Sequence, residues 1–157
     1  MTLKSLIQKT EQLVCPLVQA LNALQGIAAL LARLYVAKVF FLSGLTKLSD
    51  WDITLSLFMD EYKVPLLSPE VAAVMGTAGE LALPVLLVFG LGTRFAALGL
   101  SVVNVVAVLS LTDIAPAALQ QHVFWGSLLA AVAIFGPGRL ALDHWLQRLG
   151  GGANNRV

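Results

Sequence analysis

Charge is scarce in this chain. Only 12% of its 157 residues are Asp, Glu, Lys or Arg, where a soluble domain carries about a quarter. With 58% hydrophobic residues and a mean hydropathy of +0.84, there is too little polar surface to clothe a fold in water. Net charge is +1, so no bulk field exists to hold nucleic acid. Cysteine is nearly absent. Cys15 alone excludes an internal disulfide and a CxxC redox pair, and its neighbours offer nothing to activate the thiol. No metal-ligand spacing, nucleophile–base arrangement or phosphate loop occurs. The first residues, MTLKSLIQKTEQLV, lack a long apolar run after their lysines and a small-residue cleavage site. The N-terminus is therefore read as retained.

What the chain has is apolar length. A span needs roughly 20 residues, and four such stretches occur: about Gly26–Lys47, Val71–Leu91, Phe95–Leu111 and Ala117–Phe135. The expected fold class is all-α, a polytopic four-helix membrane bundle. Residues 1–25 read as an amphipathic lead-in on the membrane surface, bent or divided at Pro16. Trp51 to Tyr62 is too short and too charged to span. Its stripe of Trp51, Leu55, Phe58, Met59 and Tyr62 predicts an interfacial helix across the outer mouth, with Ser49 or Asp50 as N-cap. Pro84 should kink the second span and free a carbonyl one turn earlier. GPGR at 136–139 ends the membrane domain of residues 26–136. Residues 137–157 read as an amphipathic segment, Leu140–Leu149, and a disordered tail. Lys4, Lys9, Arg94, Arg139, Arg148 and Arg156 fall on one side, which predicts cytoplasmic N- and C-termini.

The organising stretch is Arg33–Lys47, RLYVAKVFFLSGLTK. At about 100° per residue, Arg33, Ala37, Phe40, Gly44 and Lys47 share one helix face, and Lys38 points roughly 140° away. Intramembrane ionisable groups need partners. Counting inward from the outer ends of the spans puts Lys38, Glu80 and Asn104 at one depth, which predicts a Lys38–Glu80 pair with Asn104 beside it. Glu80 is expected to face the interior and contact span one. Lys47, Asp113 and His122 cluster toward the outer side, and Arg33 and Arg94 toward the cytoplasmic side, where either can meet lipid phosphate. Only His122 lies in a span and His144 falls on the opposite side, so the bis-histidine geometry of a haem site is disfavoured. The candidate polar intramembrane site is thus Arg33, Lys38, Lys47, Glu80, Arg94, Asn104, Asp113 and His122, with no metal.

RLYVAKVFFLSGLTKL, GELALPVLLVFGLGTRFAAL and FGPGRLALDHWL, in that order, resemble the DoxX family of small four-helix bacterial membrane proteins. The family pattern falls on Arg33, on Phe41, Gly44 and Lys47, on Glu80, on Thr93 and Arg94, and on Gly136 to Asp143. Lys38 has no counterpart in it, so the resemblance turns Glu80 toward Lys47 or Arg33 instead. It implies a multi-pass inner-membrane protein, a subunit of a quinone- or thiol-linked oxidoreductase complex associated with oxidative stress. With one cysteine, such a role would draw on a quinone or on a soluble or membrane partner protein. The alternatives are a small transporter and an export or assembly factor without redox chemistry. The lipid bilayer is the expected surrounding, and a homo-oligomer stays open.

Overall fold

A computed structural model of the chain describes residues 3–151, with side chains for 14–149. The tail expected to be disordered, Arg156 and the side chains of Leu3, Lys4, Leu6, Ile7, Lys9 and Leu13 lie outside the described residues.

Six helices follow one another: α1 Leu3–Ser49, α2 Trp51–Asp60, α3 Pro69–Phe89, α4 Thr93–Ser110, α5 Pro116–Phe135 and α6 Leu142–Gly151. Four of them, α1 from Val14, α3, α4 and α5, are long and apolar enough to cross a membrane. Local chemistry sets the ends. Asp50 caps α2 by accepting from Ile53 N at 3.0 Å. Ser68 caps α3, with Pro69 at its first position, where no N–H is needed. Gly90 ends α3 in the left-handed region, φ +68°.

The helices close into a ring: α1 packs on α3 and α5, and α4 packs on the same two. Val36, Ala37, Phe40, Leu87, Ala96, Ala97, Leu100, Leu129 and Val132 form the core between them. The alanines let backbones approach closely, the usual means of packing helices where lipid is as apolar as the side chains. A second, smaller core of Phe58, Ala72 and Ala73 seats α2 on the first turns of α3. The short helix therefore does lie across one end of the bundle. Thr54 Oγ1 donates to Lys47 O at 2.8 Å and Lys63 N to Ser110 O at 2.8 Å, fastening both flanks of this cover.

Two expectations are corrected here. Pro16 does not divide the N-terminal segment, because α1 runs unbroken for 47 residues. A proline deletes one bond, here to Gln12 O, and flanks rich in leucine, alanine and glutamine carry the helix through. At 1.5 Å per residue α1 is about 70 Å long, so it overruns a ~30 Å hydrocarbon core. The second correction concerns register. Gly44 packs against Glu80 and Leu81, which places Lys38 across from Pro84 and Val85, one turn past Glu80. Counting from span ends erred because α2, not α1, covers the first turn of α3.

Candidate functional site

The face of α1 bearing Arg33, Ala37, Phe40 and Gly44 is the buried one: Arg33 is 0%, Ala37 1% and Phe40 4% exposed. It carries a cation at each end, and each end builds a different polar cluster.

At the α2 end, Lys47 Nζ donates to Glu80 Oε2 at 2.6 Å and to Ser43 Oγ at 3.0 Å. Among the described residues this is the one ion pair. Glu80 is 7% exposed and points inward from α3. Gly44 makes the approach feasible, since a Cβ there would press on Leu81 at 2.9 Å and on Glu80 at 3.2 Å. Pro84 has no N–H to give Glu80 O. The pair borders a cavity of about 320 Å³ whose other walls are Phe58, Tyr62, Met75, Val103, Val106 and His122. Burial first, then the charges of Glu61 and Glu80, raises the Tyr62 phenol above its ordinary value, so Tyr62 is a protonated donor at the roof.

His122 is held by Asn104. Asn104 Nδ2 donates to His122 O at 2.9 Å, and His122 Nδ1 meets Asn104 Oδ1 at 2.8 Å. A carbonyl only accepts, so the amide orientation is fixed and Oδ1 is the acceptor. His122 then carries its proton on Nδ1 when neutral and keeps Nε2 as an acceptor. Trp125 packs edge-on against His122 at 5.0 Å. The cavity thus offers cationic and phenolic donors, a carboxylate and one imidazole acceptor among apolar walls.

At the other end Arg33 is wholly buried. Its guanidinium donates to Leu87 O at 3.3 Å and Leu140 O at 2.6 Å. Gly90 leaves it room, because a side chain there would collide with both Arg33 and Ala141. Asp143 caps α4 from a distance: Oδ1 accepts from Gly92 N and Oδ2 from Thr93 N, both at 2.8 Å. Asp143 N in turn donates to Gly90 O at 2.9 Å. Burial raises the Asp143 carboxyl, but those amides, the Thr93 side chain and Arg33 outweigh it, and the net shift is downward. Arg33 and Asp143 together form a latch: Arg33 ties α1 to α3 and to the α5–α6 connection, and Asp143 ties α6 to the start of α4.

The sequence-selected residues thus separate. Lys47, Glu80 and His122 line one cavity, with Asn104 behind His122. Arg33 and Arg94 lie at the opposite end. Asp113 is exposed in the α4–α5 connection and makes no side-chain hydrogen bond among the described residues. Lys38 is exposed in an apolar groove with Leu34, Phe41, Pro84 and Val88. The Lys38–Glu80 pair is therefore replaced by Lys47–Glu80, because of the register and because Lys38 points off the buried face. Sequence reasoning missed Ser43 and Tyr62 as site members. Ser43 stands one turn before Lys47 on the same face, a usable signal. Tyr62 comes in only through the fold of the α2–α3 connection. Among the described residues no cluster of three metal-ligating side chains occurs.

The DoxX family model matches residues 28–113, just over half of the chain and including Arg33, Lys47, Glu80, Arg94 and Asn104. No curated protein and no solved structure matches it. With four helices long and apolar enough to cross a membrane, the chain belongs to the DoxX family.

Proposed function

We propose that this protein is the membrane subunit of a redox complex and binds a quinone-type ligand in the cavity over Lys47 and Glu80. The observation that carries this reading is the Lys47–Glu80 ion pair opening onto an apolar cavity beside His122. The cavity, at about 320 Å³, sits at the small end of ligand sites. It fits a ring headgroup, and an isoprenoid tail would leave toward the exposed lipid face.

When bound, a quinone supplies a two-electron, two-proton couple. This chain's residues do the rest. Lys47 would donate a hydrogen bond to a ring carbonyl oxygen, and Glu80, at 2.6 Å, would hold Lys47 aimed. His122 Nε2, left as an acceptor by the Asn104 bond, would accept from a ring hydroxyl. Tyr62 closes the site from above and keeps bulk water out. Electrons would come from a partner protein, since Cys15 is alone. Beneath the pair, Phe40, Leu100 and Leu129 pack at 0–4% exposure, which supports a closed binding site over a conducting path. We place this complex in the bacterial inner membrane, with the α2 end outside and both termini in the cytoplasm, from the side on which Arg94, Arg139 and Arg148 gather.

The test is equilibrium titration of the detergent-purified chain with a short-chain ubiquinone, read by quenching of tryptophan fluorescence. Saturable binding is expected, weakened at least about tenfold in Lys47→Met, the loss of one charge-assisted hydrogen bond of ~1.5–3 kcal/mol. Absence of saturation in the wild-type protein would defeat the reading.

A further inference from the structure

The larger cavity lies at the other end of the bundle and has no part in the reading above. It measures about 590 Å³ and lies between the N-terminal half of α1, the start of α4 and the α5–α6 connection. Arg94, Arg139 and His144 line it, with Asn22 and Gln25 from α1 opposite. Arg94 makes one long hydrogen bond, to Ile134 O at 3.4 Å. The Arg139 side chain makes none among the described residues, and neither arginine has a carboxylate partner there. The acid in the wall is Asp143, and both its oxygens are taken by the Gly92 and Thr93 amides. Two guanidinium groups thus face the cavity, neither in salt-bridge contact with Asp143, the one acid among its lining residues.

The same cavity has an apolar margin. Phe95 is 70% and Phe135 76% exposed, and both line it. Each stands at the membrane end of its helix, one turn or less from the arginines. Gly26 and Gly138 bring α1 against the GPGR loop, holding Arg139 beside Gly26. A soluble anion has no use for the two phenyl rings, whereas an amphiphile uses both ends.

We propose that this cavity is a phosphate-ester site for an anionic phospholipid, with the headgroup phosphate on Arg94 and Arg139 and the acyl chains along Phe95 and Phe135. Planar guanidinium groups suit phosphate oxygens in bidentate fashion. Basic pockets at the cytoplasmic level of a helical bundle are where such headgroups bind.

The experiment uses the full chain, delipidated in neutral detergent, and combines native mass spectrometry with thermal melting. Phosphatidylglycerol is expected to stay bound at one per chain and to raise Tm, while phosphatidylcholine does neither. Arg139→Gln removes a side chain that makes no internal hydrogen bond, so its fold should survive. It should weaken phosphatidylglycerol about fivefold, and Arg94→Gln with Arg139→Gln about 30-fold. Arg139→Lys should keep most of the affinity, and titration of the Lys47–Glu80 cavity should be unaltered in Arg139→Gln. Inorganic phosphate that raises Tm while phosphatidylglycerol does not would overturn the lipid assignment in favour of a soluble phosphate ligand. Equal retention of phosphatidylglycerol by wild type and double variant would overturn the site itself.

Discussion

Lys38 and Lys47 show how far apart two lysines of one helix can stand in meaning. Lys47 is on the buried face and reaches Glu80; Lys38 is exposed in an apolar groove beside Pro84 and Val85, free to extend its ammonium toward the membrane interface. Lys38→Leu should leave the melting temperature nearly unchanged, as for other exposed substitutions within about 0.5 kcal/mol. A large loss would place Lys38 inside the polar network. Glu80→Gln keeps shape but removes the charge opposite Lys47. Breaking a buried pair costs about 3–5 kcal/mol. Lys47 retains 21% side-chain exposure and a bond to Ser43, so we expect about 1.5–3 kcal/mol, the range of a charge-assisted hydrogen bond. A melting shift in detergent reads it, and an unchanged Tm would mean that Glu80 is not paired in solution. At this scale the sequence was legible in direction and illegible in register. The 100° arithmetic found the buried face of α1 from Arg33, Ala37, Phe40 and Gly44. It did not find which turn of α3 meets which turn of α1, because that depends on where α2 sits.

Helices α4 and α6 are joined by a cap that no local pattern announces. Asp143 lies about fifty residues beyond the amides of Gly92 and Thr93 that it serves, so a cap search confined to one helix passes over it. Its carboxyl sits below the ordinary value of about 3.9. A depressed folded-state pKa contributes stability that is fully present above the unfolded value and lost as pH falls through the folded one. The wild-type protein should therefore lose melting temperature as pH drops below about 4, and Asp143→Asn should lose less over the same window. At pH 7, Asp143→Ala should cost about 1–2 kcal/mol, the scale of a helix cap. Equal acid sensitivity of wild type and Asp143→Asn would remove this latch from the account. Helix α2 was legible as an element from its aromatic and aliphatic stripe, and its cap from Asp50. Continuation of α1 through Pro16 was not, because a single missing hydrogen bond is weak against high helix propensity on both sides.

Over the whole molecule, two polar ends are separated by an apolar middle of Val36, Phe40, Leu87, Leu100 and Leu129. The spans and their order were readable from hydropathy because backbone groups in lipid must be satisfied within the helix. The division between the two ends was readable as well, with Lys47 and His122 toward one and Arg33 and Arg94 toward the other; the partners at each end were not, since only the surrounding helices supply them. The proposed orientation is tested at these same two ends. A cysteine placed at Asp60 should label from outside intact cells and one at Arg148 only after permeabilisation; labelling of both from outside would invert or break the topology. The most direct test of the account asks whether the proposed quinone binds at the Lys47–Glu80 end. Photolabelling of the membrane-embedded protein with an azido-quinone, followed by peptide mapping, should mark segments around Ser43–Lys47, Phe58–Tyr62 and Met75–Glu80, with competition by unlabelled quinone and loss in Lys47→Met. Label that does not compete, or that falls instead on Arg94, Phe95 and Phe135, would contradict it.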